Sequence, residues 1–283
     1  MEQKREALWP LWLFLVISAV VSWTIWLWPF SSRGAFYFVL FGKVQYFPLV
    51  LLKLLLGNCM PGLLAIPYSF VMHKERTRRA LVSLIRWRVS LKWYVFALVL
   101  PCIIFFIASD SFFFWFPRSF PPATEFLRSL LLTLPFGPLW EEIAWRSYAL
   151  PILNTRYKLV TSFLLMGTYW SVWHIPLWIV TLHLNEHSLL PVLSIAILNL
   201  VAWSVIFAFL YEGSGCSLPV VILLHGAYSA ASDQRVSVNT NHGLLMIAIT
   251  ALLSICVAVF LGRKMNARNP QNSESVASRP TLA

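Results

Sequence analysis

The sequence predicts an all-α fold, a polytopic membrane bundle of about eight transmembrane helices. Three observations carry that prediction. First, only 12% of the 283 residues are charged and 59% are apolar. Soluble globular domains have about 25% charged and about 45–50% apolar residues, on a tally that takes glycine in place of tyrosine and puts this chain at about 60%. A water-facing globule of this length has too much surface to cover with so few charges. Second, the apolar residues lie in continuous runs of about 20 residues, the length of a helix across the hydrocarbon core, and not in the alternating pattern of a barrel. Third, Lys and Arg are distributed very unequally between the connections. The same composition excludes a disordered chain, a collagen and a disulfide scaffold.

In chain order, the predicted spans are 8–28, 44–72, 93–114, 124–153, 159–181, 190–211, 218–231 and 244–261. The apolar run at 8–30 exceeds a signal-peptide core of about 7–15 residues and lacks a small-x-small cleavage site, so it reads as a retained first span. The fourth run is interrupted by Pro135 and Pro138, and the seventh is short. No repeat of fixed period is present. Residues 1–264 therefore read as one membrane-embedded domain. The polar stretch 265–283, with its Pro, Ser and Asn, reads as a disordered cytoplasmic tail.

The basic residues orient the bundle. With the connection 74–92 in the cytoplasm, fifteen of the 22 Lys and Arg residues fall on that side. Four (Arg33, Lys43, Arg118 and Arg235) fall on the other, and Lys53, Arg128 and Arg146 lie within spans. Both termini are then cytoplasmic, which requires an even number of crossings, in keeping with eight. Topology and contact with anionic lipid account for the net charge of +11, so no nucleic-acid partner is expected. Cys59, Cys102, Cys216 and Cys256 form no C-x-x-C pair and read as small buried hydrophobes.

Ionisable residues inside spans are expensive and call for a partner or a function. The interrupted fourth run contains Glu141, Glu142 and Arg146. On a helix Glu142 and Arg146 are i,i+4 neighbours and can pair. Glu141 points about 100° away and needs something else to face. Pro138 suits the first position of a helix, which would put both carboxylates near a helix N-terminus. His174 lies deep in the fifth run and His225 in the seventh, with Ser229 one helical turn after His225. Two buried histidines and an unpaired glutamate on three helices suggest a site. A structural Glu–Arg pair beside satisfied core histidines is the alternative.

In these residues the sequence resembles the CAAX prenyl protease and bacteriocin-processing family, also called Abi or CPBP intramembrane proteases. Its pattern is E-E-x-x-x-R, then F-x-x-x-H, then H-x-x-x-N on successive helices. This chain has Glu141-Glu142 with Arg146, Trp170 with His174, and His225 with Ser229, in that order, and the resemblance covers about 124–231. It departs in Trp170 for Phe, in Trp145-Arg146-Ser147 for Phe-Arg-Gly, and in Ser229 for Asn. The resemblance implies an intramembrane endopeptidase in which Glu141 and His174 hold the attacking water. His225 and Ser229 would face the oxyanion, and Glu142 and Arg146 would support the site from behind. It also raises a divalent metal such as zinc, with Glu141, His174 and His225 as candidate ligands, since two His and one Glu form a known zinc set. The expected partners are membrane lipid and a membrane-associated or lipidated peptide or protein substrate, in a bacterial plasma membrane. The rival readings are a non-catalytic scaffold or bacteriocin-immunity protein on the same fold, and a proton-coupled transporter, because buried Glu, Arg and His also mark ion pathways.

Overall fold

The computed structural model describes residues 7–27, 35–40, 43–108, 123–182, 186–232 and 240–268. The chain forms an all-α membrane bundle. Its helices are α1 (Trp9–Leu27), α2 (Leu49–Met72), α3 (Lys74–Leu84), α4 (Leu91–Ile107), α5 (Ala123–Thr133), α6 (Pro138–Glu142), α7 (Leu150–Leu153), α8 (Leu159–Leu182), α9 (Glu186–Gly213), α10 (Leu218–Ser232) and α11 (Thr240–Arg268). A π-helical segment, Ile143–Ala149, joins α6 to α7. Among the described residues, four stretches are long and apolar enough to cross a membrane: Trp9–Leu27, Leu52–Met72, Leu159–Val180 and Leu189–Gly213. Leu91–Ile107, Leu218–Ser232 and Leu244–Phe260 are shorter apolar helices.

Three predicted elements change. Residues 44–48, placed in the second span by hydropathy, belong instead to a short antiparallel hairpin, β1 (Ala35–Leu40) with β2 (Lys43–Pro48), in which Ala35 pairs with Pro48 and Leu40 with Lys43. Aromatic and β-branched residues dominate both strands and favour the pleated form, so an apolar run here is strand before it is helix. The fourth predicted span is not one rod but α5, a turn, α6, the π segment and α7. Pro135, Gly137 and Pro138 remove two amide donors and add one flexible joint in four residues, which breaks the ladder. At the other end of the chain α11 runs to Arg268, so the first residues assigned to a polar tail are helical. Residues 269–283 lie outside the described residues.

α9 packs between α8 and α11, α10 lies against α4 and α5, and α2 crosses α1, α6 and the π segment. Lipid tails are as apolar as leucine, so close packing and interhelical hydrogen bonds hold such bundles. Both are present. A Cβ on Gly62 would come within 2.6 Å of the Trp140 Cα, so only glycine lets α2 touch α6. A Cβ on Gly167 would lie 2.7 Å from the Ser204 Cβ, which fixes α8 against α9. Ser22 Oγ donates to the Gly57 carbonyl at 2.9 Å, and Ser254 Oγ to the Ala202 carbonyl at 2.7 Å. Thr250 Oγ donates to Asn199 Oδ1 at 3.2 Å, and Asn199 Nδ2 to the Tyr228 hydroxyl at 3.4 Å. The bundle's outer faces are apolar: Val16, Val20, Leu252 and Ile255 are all exposed, as expected of side chains that meet lipid.

Candidate active site

The site is built on the broken fourth span. After α5 the chain turns through Pro135 to Gly137 and re-enters helix with Pro138 at its first position. The Trp140 indole donates back to the Pro135 carbonyl at 2.9 Å, and the Glu141 amide to the Gly137 carbonyl at 2.9 Å, closing the turn. The following π segment is wound more widely, with the Leu150 amide reaching the Trp145 carbonyl five residues back. All seven of its residues, Ile143 to Ala149, are buried. Short π turns inside α-helices are frequent at functional positions.

Each carboxylate has its own partners, on different sides of α6. Glu142 is fully buried. Its Oε2 lies 3.2 Å from Arg146 Nε, and its Oε1 accepts from His225 Nδ1 at 2.9 Å. The Arg146 guanidinium is enclosed between two ring faces, its Cζ 4.7 Å from the Trp170 centroid and 4.8 Å from that of Phe207. Its Nη1 and Nη2 have no hydrogen-bond acceptor among the described residues, so the two aromatic faces take that place. The i,i+4 pairing expected from the sequence is therefore present. The partner of His225, however, is Glu142 and not the unpaired Glu141.

Glu141 is 3% exposed, and its Oε2 accepts a hydrogen bond from the Trp170 indole at 2.7 Å. Its Oε1 faces Gly137, where a Cβ would sit 3.3 Å from that oxygen and 3.9 Å from Asn58 Nδ2. Glycine at 137 keeps open the space these two groups border. Asn58 Oδ1 is buried with no hydrogen-bond partner among the described residues.

The histidines gather around the same indole. The His225 ring meets Trp170 edge-on, at 5.3 Å between centroids and 81°, and meets Phe207 at 5.4 Å and 78°. His174 lies one turn after Trp170 on α8, with its ring centroid 5.6 Å from that of Trp170. Its Nδ1 lies 2.9 Å from the Trp170 carbonyl, which can only accept, so that nitrogen carries the proton. In the neutral ring Nε2 is then an acceptor. Trp178 stacks on the other side of His174 at 5.4 Å and 22°. Ser229, on the turn of α10 after His225, is half-buried.

The structure thus brings Glu141, His174, His225, Glu142 and Arg146 into contact with Trp170 or with its direct neighbours. Sequence reasoning missed two participants. In the sequence Trp170 stands only as a departure from Phe, although an indole adds an N–H donor that a phenyl ring lacks. Asn58 was passed over inside the second apolar run, although an amide in a span is itself a signal.

For the expected zinc set, His225 Nδ1 is held by Glu142, His174 Nδ1 by a carbonyl and Glu141 Oε2 by an indole N–H, which leaves Nε2 of each histidine and Oε1 of Glu141 as the atoms that could ligate. Among the described residues no three His, Cys, Asp or Glu side chains are grouped so as to hold a metal ion.

Comparison with known proteins adds an independent line. Residues 123–231 match the family described as type II CAAX prenyl endopeptidase Rce1-like. A stretch of 64 residues is 41% identical to CAAX prenyl protease 2 of Methanococcus maripaludis, covering 23% of this chain and 23% of that protein. The family match begins at α5 and ends in α10, and so takes in every residue of the site except Asn58. Residues 123–231, which carry the three motifs in order with their side chains around one indole, are thus similar to the type II CAAX prenyl endopeptidase Rce1-like family.

Proposed function

We propose that the protein is an intramembrane endopeptidase that hydrolyses a peptide bond of a membrane-associated or lipidated substrate, with water activated by Glu141 and His174. The observation that carries this reading is the separation of roles between adjacent carboxylates. Glu142 is engaged by Arg146 through an ion pair and by His225 through a hydrogen bond, whereas Glu141 has one oxygen fixed by Trp170 and the other beside Gly137 and Asn58. A water in that space would donate one hydrogen to Glu141 Oε1 and the other to His174 Nε2 or Asn58 Oδ1. Glu141 then takes the proton as the oxygen attacks the carbonyl carbon, and returns it to the leaving amine.

His225 and Ser229 would stabilise the oxyanion. A histidine whose Nδ1–H is given to Glu142 donates from Nε2 only as the imidazolium, for which Glu142 is the counter-ion. One pre-aimed oxyanion donor is worth about 10²–10³ in kcat.

The test is cleavage of a peptide with a lipidated C-terminal cysteine motif by the full-length protein in detergent. Glu141→Ala should abolish turnover while the protein still elutes as a folded species. Turnover retained in Glu141→Ala would remove the assignment. Treatment with EDTA or phenanthroline separates two chemistries: activity that survives leaves Glu141 as a metal-independent base, and loss with recovery on zinc makes Glu141, His174 and His225 ligands. The non-catalytic scaffold is favoured by one specific observation, the serine at 229 where the family pattern has asparagine. It predicts no turnover in the wild type and none on introducing Ser229→Asn. The peptidase predicts turnover in both, faster in Ser229→Asn.

A further inference from the structure

A second polar cavity lies away from Glu141. It has a volume of about 550 Å³, within the about 300–1,000 Å³ typical of small-ligand pockets. Its position follows from the topology. It opens where α2 has ended at Met72, before α8 begins at Leu159 and where α9 ends near Gly213. These are the same-side ends of three of the stretches long enough to span, so the cavity sits at headgroup level. One wall carries Arg76, Arg78, Arg79 and Arg86. The lining also includes Ser147, Asn154 and Glu212. Arg86 donates to the Gly215 carbonyl and Ser217 Oγ donates to the Arg86 carbonyl, which ties the α9–α10 turn to this rim. Gly215 and Cys216 hold that turn with φ of +74° and +64°.

Two features specify a ligand. The arginine wall suits a phosphoryl group, which guanidinium forks bind with paired hydrogen bonds. Asn154 and Glu212 add acceptors to the lining. Asn154 Nδ2 donates to Glu212 Oε1 at 3.3 Å, and Asn154 Oδ1 is buried with no hydrogen-bond partner among the described residues. A ligand that meets both groups carries a phosphate at one end and hydroxyl or ammonium donors at the other. The outer rim adds a third feature. Val82 lines the cavity and is exposed, and Ile85 and Trp87 beside it are 72% and 60% exposed. Bare apolar and indole side chains next to arginines are the pattern of a segment lying in the membrane interface.

We infer that this cavity binds the phosphate-bearing headgroup of an anionic phospholipid, of the phosphatidylglycerol kind, with its acyl chains along Ile85 and Trp87. The phosphate meets the arginines, and the glycerol hydroxyls donate to Asn154 Oδ1 and Glu212. The floor residue Ser147 follows Arg146 directly on the π segment, so the lipid rests against the element that carries the buried ion pair. This inference is independent of the peptidase chemistry.

Native mass spectrometry of the delipidated full-length protein tests it, with phosphatidylglycerol, phosphatidylcholine and inorganic phosphate as the probes. Phosphatidylglycerol should bind about tenfold or more tighter than phosphatidylcholine, and Arg78→Gln/Arg79→Gln should lose about that factor, as expected for two basic side chains at an anionic surface. Lys92→Gln/Lys158→Gln removes the same charge from exposed positions outside the cavity and should leave binding unchanged. Asn154→Leu should reduce the preference for phosphatidylglycerol over phosphatidic acid, which has no glycerol hydroxyls to offer. Equal loss in the two double variants would overturn the site in favour of general charge attraction, as would equal binding of the two lipids. Inorganic phosphate binding as tightly as phosphatidylglycerol would overturn the lipid in favour of a soluble phosphate.

Discussion

Arg146 and the arginines of the cavity next to it show one side chain under opposite conditions. Arg146 is fully buried, paired with Glu142 and closed in by Trp170 and Phe207. Arg78, Arg79 and Arg86 are exposed around a cavity at the membrane face. Only the π segment and α7 separate the two environments. For Arg146 the counter-charge must come from protein, because no water or headgroup reaches it. For the exposed arginines the solvent and the lipid surface supply that role, and long basic side chains at such a surface stay solvated. The lesson is that the same residue type carries structural obligations in one place and leaves a ligand site open in the other. Burial makes the difference, and Ser147 beside Arg146 marks where one regime gives way to the other.

The largest effect should come from breaking the buried side. Glu142→Ala leaves Arg146 without its carboxylate and His225 without its acceptor, a loss of about 3–5 kcal/mol for a buried ion pair broken on one side. Unfolding in detergent, followed by circular dichroism, should show it. A variant as stable as wild type would mean that the aromatic faces alone satisfy Arg146. The second effect is smaller and catalytic. Trp170→Phe keeps an aromatic ring against Arg146 and removes only the N–H that fixes Glu141. A hydrogen bond to a charged group contributes about 1.5–3 kcal/mol, so kcat should fall about ten- to a hundredfold with KM little changed. Unaltered kcat would reduce Trp170 to a packing role. At the exposed end, Arg78→Gln/Arg79→Gln should alter unfolding free energy by no more than about 0.5 kcal/mol in lipid-free detergent, as for surface substitutions. A larger loss there would erase the contrast between the two regions.

Much of this protein could be read directly from its amino acids. Continuous apolar runs, a scarcity of charge and the clustering of Lys and Arg define a helical membrane bundle, because the bilayer accepts no other backbone with such side chains. Glu141, Glu142, Arg146, His174 and His225 stood out for the same reason, since ionisable groups inside a span are rare without a purpose. Even the Glu142–Arg146 pair was legible, because i,i+4 neighbours meet on any helix. What the sequence alone left open were relations across helices. The choice of His225 for Glu142 over Glu141, the donation from Trp170 to Glu141, the approach of α2 to α6 at Gly62 and the division of the fourth run by a π segment all depend on how separate elements pack. Local spacing sets which residues share a face of one helix. Only the assembled bundle decides which face of the next helix it meets, and here that decision gives each of two adjacent carboxylates its own partners.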